Sequence, residues 1–365
     1  MTASIIGKPL KTTLAAMILA SGIVALPSYG QATDFDAIKA AAAKEGTLVV
    51  WHNTPSQETT KALNELFNRR FDMNIKVNRV SVSGSVMTSR LMTEKRGGKF
   101  TVDVFIANDR HLPILVKNGM IEKIDWVGEF AGPGKIDAAL LTSAATNIIS
   151  EYIGYGLEFR HTIYGIVYNT KMVTAQDVPK TWEGLADPKW RGKVVIEDGL
   201  SPLARLLPAL GRDGVLDLAK RIVANRPIYA DGQPASAGKI VSGEAPIGAV
   251  GLSAALEERE KGAPIGLIYA EPQALISQLV VYVAKGAPHP NLAKLWAAWM
   301  ASEGMNAQAM IDEGAIRAWP GSPGAFGEHF AKHNLKVRRA DTIAELEAAN
   351  DIRKELDAVA TGRLR

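Results

Sequence analysis

The sequence predicts an α/β fold with largely parallel sheets. Strand-like and helix-like segments alternate along the chain after its first 32 residues, the order expected of β-α-β units. The strand-like pieces are short, continuous apolar runs, as in a sheet covered on both faces. Their ends run directly into helix starts, with polar residues at the junctions.

The elements follow in order. Leu48-Val49-Val50-Trp51 is the first strand, ending at His52 and Asn53. The next helix carries an apolar stripe at Ala62, Leu63, Leu66, Phe67 and Phe71. Thr54 as N-cap, Pro55 at N1 and Gln57 at N3 mark its start. Ile75 to Val82 reads as a strand with broken alternation near Asn78-Arg79. Ser83-Gly84-Ser85 then leads into a helix through Arg90 and Leu91 to Glu94. Val102 to Ala107 is a third strand, meeting Asn108-Asp109 and a helix that Gly119 stops as a C′ glycine. A second region repeats the pattern. A strand runs through Glu197, followed by a helix with Ser201 as N-cap, Pro202 at N1 and Gly211 as stop. A short strand, the turn Gly232-Gln233-Pro234 and a helix ending near Gly243 come next, and 245–262 supplies one more strand and helix. Ile163 to Lys171 and Pro264 to Pro290 read as crossovers between two lobes. A helix begins near Pro290, and Asp341 to Val359 forms a charged amphipathic helix.

Residues 1–32 read as an export leader: Lys8 and Lys11 precede an apolar run from Leu14 to Leu26, and Gly30-Gln31-Ala32 offers small residues for cleavage. That run is short for a membrane span. The remainder is about two domains long, and 47% hydrophobic residues over the chain allow a sizeable core. With no cysteine there are no disulfides, thiol nucleophiles or thiolate metal sites. The net charge is +4, part of it in the leader, and no Lys/Arg block marks a nucleic-acid surface. HExxH, GxSxG, Walker and post-strand GxGxxG patterns are absent, and the six histidines show no zinc spacing. His289, His329 and His333 stand in polar surroundings and read as solvated.

In open α/β sheets, ligands bind where strand C-termini meet helix N-termini, whose free N–H groups favour anions. Four such junctions occur: His52-Asn53-Thr54, Ser83-Gly84-Ser85, Asn108-Asp109, and Asp198 to Ser201. Each by itself is equally an ordinary helix cap; together they mark a candidate cleft between two lobes.

The segment "TLVVWHNTPSQETTKALNELFNRRFDMNIKV" is similar to the start of type II periplasmic solute-binding proteins of ABC importers. "TVDVFIAND" resembles that family's third-strand motif. In "IYGIVYNTKMVTAQDVPKTWEGLADPKWRGKVVIED", Tyr168-Asn169-Thr170, Pro179-Lys180-Thr181-Trp182 and the run Asp187 to Lys193 stand in the family's order and spacing. "VVYVAKGAPHPNLAKLWAAWM" resembles the return strand and following helix. The resemblance spans nearly the whole chain beyond the leader. It implies a two-lobed fold of two mixed or parallel sheets flanked by helices and joined by a two-crossover hinge. The lobes are expected at 33–165 with 270–320 and at 166–269 with 321–365. The branch that stands nearest includes ferric-ion-binding proteins, which use a histidine after strand one, a glutamate after strand three and two adjacent tyrosines in the second lobe. His52 and Asp109 fall near the first two positions, but Leu252-Ser253 stands where the tyrosines belong and no tyrosine follows until Tyr269. A hard ferric ion favours anionic oxygen ligands, so their loss turns the expectation to a small organic anion, with a ferric ion or ferric chelate as the alternative.

The resemblance therefore implies an exported, monomeric, non-enzymatic protein, periplasmic, without cofactor. It would capture a polar solute by lobe closure and dock transiently on an inner-membrane permease. Arg110, Arg160 and His161 are candidates to pair the solute's charge. Tyr164, Tyr269 and Gln233 are candidates to line the cleft, with Tyr168 shared with the hinge core. Glu271, at the second crossover, is a candidate for a ligand amine or a salt bridge across the lobes. A secreted hydrolase on the same lobes is the rival from another class; it needs a nucleophile and base that no motif supplies.

Overall fold

The computed structural model describes residues 35–52, 56–82, 84–273, 276–311, 331 and 339–364. The leader read at 1–32 lies outside them, as do Asn53, Thr54, Pro55 and Ser83. Two five-stranded mixed sheets carry the fold, each with its own core.

The first sheet has the order β2-β1-β3-β10-β4, from β1 (Thr47–Trp51), β2 (Lys76–Val80), β3 (Val104–Asn108), β4 (Leu157–Thr162) and β10 (Ser277–Val283). β1 lies parallel to β2 and β3, while β10 runs antiparallel to β3 and β4. Helix α1 (Phe35–Glu45), which the sequence patterns did not signal, ends on a carboxylate that caps another helix. Glu45 accepts from the backbone N–H groups of Asn291 and Leu292 at 3.2 and 2.7 Å. It thereby satisfies the first turn of α10 (Pro290–Trp299), where Pro290 occupies an opening position. Helix α2 (Gln57–Phe71) buries the expected stripe through Leu63, Phe67 and Phe71, the Phe67 ring meeting Trp299 at 5.3 Å. Its N-cap is Ser56, accepting from Thr59 N–H at 3.1 Å, not Thr54: the helix starts two residues later than the Pro55 signal implied. Helix α3 spans Gly84–Arg96. Helix α4 (Leu112–Lys117) ends where Gly119, at φ 56°, supplies the left-handed C′ residue. Helices α5 (Trp126–Phe130) and α6 (Ala138–Thr146) complete this layer on the Asp125 and Asp137 caps.

The second sheet has the order β7-β6-β8-β5-β9, from β5 (Tyr164–Asn169), β6 (Val194–Glu197), β7 (Ile228–Ala230), β8 (Ile247–Gly251) and β9 (Ile265–Ile268). A 3-10 segment, Asp198–Leu206, follows β6 directly, with Gly199 and Leu200 at φ 57° and 75°. Helix α7 spans Leu207–Ala224 as two helical runs: Gly211, at φ 66° and ψ 172°, is non-helical and stops the first, as the sequence suggested. Helices α8 (Gln233–Val241) and α9 (Leu252–Glu260) follow β7 and β8. The family-like motifs here are structural. Trp182 is fully buried and donates to Pro272 O at 2.9 Å, and its backbone N–H bonds Glu271 O at 3.2 Å. Asn225 Nδ2 donates to Asp187 O at 2.8 Å, fastening the 187–193 turn to the end of α7.

α11 (Met305–Ile311) continues the first layer, and α12 (Ile343–Ala360) closes the described chain, capped by Thr342. Leu346 of α12 sits in the first core, and Ile352, Leu356 and Val359 in the second.

His289 is a correction to the reading of a solvated ring. Its backbone N–H and Nδ1 contact the fully buried Asp103 carboxylate at 2.7 and 2.9 Å, and Asp103 also accepts from Val49 N–H at 2.8 Å. One carboxylate so joins β1, the approach to β3 and the turn after β10. Replacing it would leave buried donors without partners. Asp103→Ala is expected to destabilise the protein by about 3 kcal/mol, read as a lower urea midpoint with the native slope.

Candidate functional site

The chain passes from the first sheet to the second over one residue. β4 ends at Thr162, β5 begins at Tyr164, and Ile163 between them accepts from Leu252 N–H at 2.8 Å. It returns through residues 269–276, between β9 and β10. A cleft of about 1670 Å³ lies between the sheets. That is larger than the ~300–1,000 Å³ typical of a small-molecule pocket.

Its floor is built by strand ends. Arg160 and Thr162 lie two apart on β4 and both line the cleft, joined by Asn108 at the end of β3 and Ser277 and Leu279 on β10. From the other side come Tyr164, Glu197, Ser201 and Arg205. Arg205 is 8% exposed and reaches across the crossing to the first sheet, where its Nη2 donates to Ser277 Oγ at 2.8 Å. Asn108 Nδ2 donates to the same oxygen at 2.8 Å. Both Ser277 lone pairs are thus engaged, and its hydroxyl proton remains as a donor. Gln233 lies against Gly251, where a Cβ would meet the amide at 2.2 Å, and accepts from Ser253 Oγ at 3.1 Å. Helix α12 adds Glu347, Asn350 and Arg353 from one face.

Electrostatically the floor is crowded with guanidinium groups. Arg110 is pushed down to about 10, first by loss of hydration and then by the charges of Arg353 and Arg205. His111 is pushed down to about 4 by burial, Arg110 and Arg353. Arg110 Nε lies 3.2 Å from His111 Nε2, and arginine can only donate, so Nε2 accepts and the imidazole is neutral. Nδ1–H then donates to Thr88 Oγ1 at 3.1 Å. Burial raises the Asp109 carboxyl against the opposing pull of Arg205, which weakens the nearest negative charge behind the floor. One buried carboxylate, Glu197, stands at the crossing and accepts from Tyr164 Oη and Gly251 N–H, each at 3.3 Å, and Glu58, Asp231, Glu257, Glu260 and Glu347 line the cleft elsewhere.

Of the residues singled out from sequence, Asn108, Arg110, Arg160, Tyr164, Ser201 and Gln233 line the cleft. His52 does not: it is 1% exposed, and its backbone N–H extends the β1–β2 ladder to Val80 O at 3.1 Å. Asp109 lies behind the floor. His161 is fully buried and pairs with Glu158 at 3.3 Å. A bulge in β4 near Phe159, where its register with β10 shifts, puts these residues three apart on one side. Arg160, read as a possible outward loop charge, is instead in a buried strand. Tyr269 is half-buried outside the lining, its phenol raised by burial. Glu271 is exposed and serves the Trp182 clamp through its backbone. Gly84 and Ser85 open α3 and Asp198 opens the 3-10 segment; their side chains are outside the described residues, as are Asn53, Thr54 and Ser83 altogether. Sequence patterns missed His111, Glu197, Arg205, Ser253, Ser277 and Arg353. Arg205, one helical turn after Ser201, carried a usable signal. Arg353 carried none, being one charge among many on an amphipathic helix. Among the described residues no three His, Asp or Glu side chains converge to hold a metal, and no helix is long and apolar enough to cross a membrane.

The family described as bacterial extracellular solute-binding protein matches residues 61–334. An uncharacterised protein of Haemophilus influenzae is 28% identical over 166 residues, covering 43% of this chain and 45% of that protein, so the chain matches less than half of that relative. Iron-bound HitA from Pseudomonas aeruginosa superposes with a TM-score of 0.64 at 18% identity, covering 86% of this chain and 99% of HitA. The periplasmic binding protein AfuA from Actinobacillus pleuropneumoniae, bound to fructose-6-phosphate, gives 0.63 at 19%, covering 86% and 96%. Identities this low show the shared fold alone.

The depressed His111 has a consequence for stability. Between pH 6.5 and about 4 the unfolded chain takes up a proton that the folded chain refuses, so the contribution is present above 6.5 and lost as pH falls through that window. Its ceiling is about 3 kcal/mol, lowered by solvent access to the half-buried ring. His111→Gln should flatten the fall in unfolding free energy between pH 6.5 and 4 relative to the native protein. Parallel urea titrations of the two across that range check it.

Proposed function

This chain belongs to the bacterial extracellular solute-binding protein family, and we propose that its solute is a small organic anion, captured by closure of the two lobes and delivered to the membrane permease of an ABC importer. The observation that carries this reading is the guanidinium-rich floor: Arg110, Arg160 and Arg205 line one cleft with Arg353 beside them. Loss of hydration and mutual repulsion both raise the free energy of such a cluster, and an anion relieves the second. Arginine forks suit carboxylate and phosphate groups because they donate in pairs. Asn108, Thr162, Ser201 and Ser277 add neutral donors around them.

A bare ferric ion fits less well, since four guanidinium groups stand at the cleft floor and Leu252-Ser253 occupies the place where the family resemblance implies tyrosine ligands. HitA is described with iron and AfuA with a sugar phosphate; the cationic floor favours the second kind of cargo. The lack of cysteine also suits an exported protein that meets changing redox conditions.

A thermal-shift screen over acetate, succinate, methylphosphonate, a hexose phosphate, spermidine and ferric citrate tests the reading, because a solute that binds the folded state alone raises the midpoint. Carboxylates, phosphonates or phosphate esters should raise it. Stabilisation by spermidine or by ferric ion alone would overturn the proposal. For whichever anion binds, Arg205→Gln should weaken the affinity about 10- to 100-fold in calorimetry, the usual scale for losing a charge-assisted hydrogen bond.

A further inference from the structure

The direction of the hydrogen bonds gives the cleft two kinds of wall. On the first lobe, Ser277 Oγ receives Asn108 Nδ2 and Arg205 Nη2, both at 2.8 Å. With two donors on its oxygen, that hydroxyl offers the cleft its proton. Arg205 adds only N–H groups. On the second lobe the protons point inward. Tyr164 Oη donates to Glu197 Oε1 at 3.3 Å, and Ser253 Oγ donates to Gln233 Oε1 at 3.1 Å. Both hydroxyl oxygens therefore meet a solute as acceptors. Glu197, only 3% exposed, accepts outright when ionised, and Gly251 N–H holds its other oxygen at the end of β8 at 3.3 Å. Tyr164, Glu197, Gln233 and Ser253 all line the cleft.

Short stretches of chain keep the two walls together. Thr162 pairs with Ser277 in the first sheet, and Tyr164 pairs with Gly251 in the second. Thr162 and Tyr164 are two residues apart, so these pairs lie within about 7 Å along the chain. Glu197 and Arg205 are likewise joined by a single 3-10 segment. A small molecule is long enough to touch both walls.

We infer that the solute carries, besides its anionic group, a hydrogen-bond donor, an ammonium or a hydroxyl group, and that Glu197 with Tyr164 and Ser253 forms the subsite that receives it. The inference rests on the anion reading above and deepens it by naming the second functional group. A buried carboxylate in the same cleft repels any simple anion. It attracts only an anion that brings an N–H or O–H to it, so it rejects wrong solutes as well as holding the right one. The competing role is structural: Glu197 would merely tie β6 to β5 and β8 through Tyr164 and Gly251.

Calorimetry with matched ligands separates these roles. Each anion of the thermal screen has partners that differ in donor groups. Acetate is compared with glycolate and glycine, and succinate with malate and aspartate. Methylphosphonate is compared with its hydroxymethyl and aminomethyl analogues, and a hexose phosphate with hexyl phosphate. In the series that binds, at least one donor-bearing member should bind about tenfold or more tightly than its donor-free parent, the scale of one charge-assisted hydrogen bond. A gain for the amine identifies an ammonium, and a gain for the hydroxy compound a hydroxyl. Glu197→Gln should bring the ratio within about twofold; a structural role instead lowers the thermal midpoint and leaves the ratio native. Where Glu197→Gln does not fold, Ser253→Ala, which keeps the carboxylate, should cut the ratio about threefold. Donor-bearing ligands no tighter than their parents, or a ratio that no folded variant moves, would sink the inference. Failure of the anion reading shows differently, as no anion of any series stabilising the native protein.

Discussion

The single-residue passage at Ile163 is the constraint on which the site depends. Because β4 and β5 are separated by one residue, the two sheets meet at a point, and whatever stands at the adjoining strand ends must share the cleft floor. Arg160 and Thr162 precede the passage and Tyr164 follows it. The Ile163 carbonyl is tied to the first N–H of α9, which fixes the orientation of the second lobe's ligand-facing edge. The return path is held in turn by the Trp182 indole and the backbone pairing of Lys180 and Trp182 with Glu271. The Pro179–Trp182 motif is therefore a hinge clamp, which explains aromatic residues near the cleft that do not line it.

Rigid lobes and a narrow passage turn local electrostatics into a global property. Asp103 and Glu45 are spent inside the first lobe, one joining β1 to the turn after β10 and the other capping α10. Asp109, behind the floor, is shifted toward its neutral form by burial. The guanidinium groups crowd the crossing beside a single buried lining carboxylate, Glu197, while the other lining carboxylates stand elsewhere. A solute entering from water meets a mixed outer surface and then a cationic floor, an arrangement that selects for charge sign before shape.

Local signals in the chain suffice for the α/β class and most helix and strand positions, while the two-lobed architecture follows from the family resemblance. Those signals are the apolar runs, the 3.6-residue stripe of α2, Gly119 past α4 and Pro290 at the start of α10. The errors they produce are local too. Pro55, for one, suggests an earlier helix start than Ser56 provides. At the site, strand-end reasoning reaches Asn108 and Ser201, since a strand end next to a helix start is visible in one dimension, while Arg110, Arg160, Tyr164 and Gln233 follow from the family resemblance and the cleft it implies. Three-dimensional packing was needed to show that His52 is buried in the first lobe and that a bulge turns His161 to Glu158. It was needed again to bring Arg205 and Arg353 to Arg110 across the cleft. Such residues lie up to 243 positions apart in the chain. Their meeting is set by how two sheets and one bridging helix pack, for which no periodicity or spacing in the sequence provides a signal.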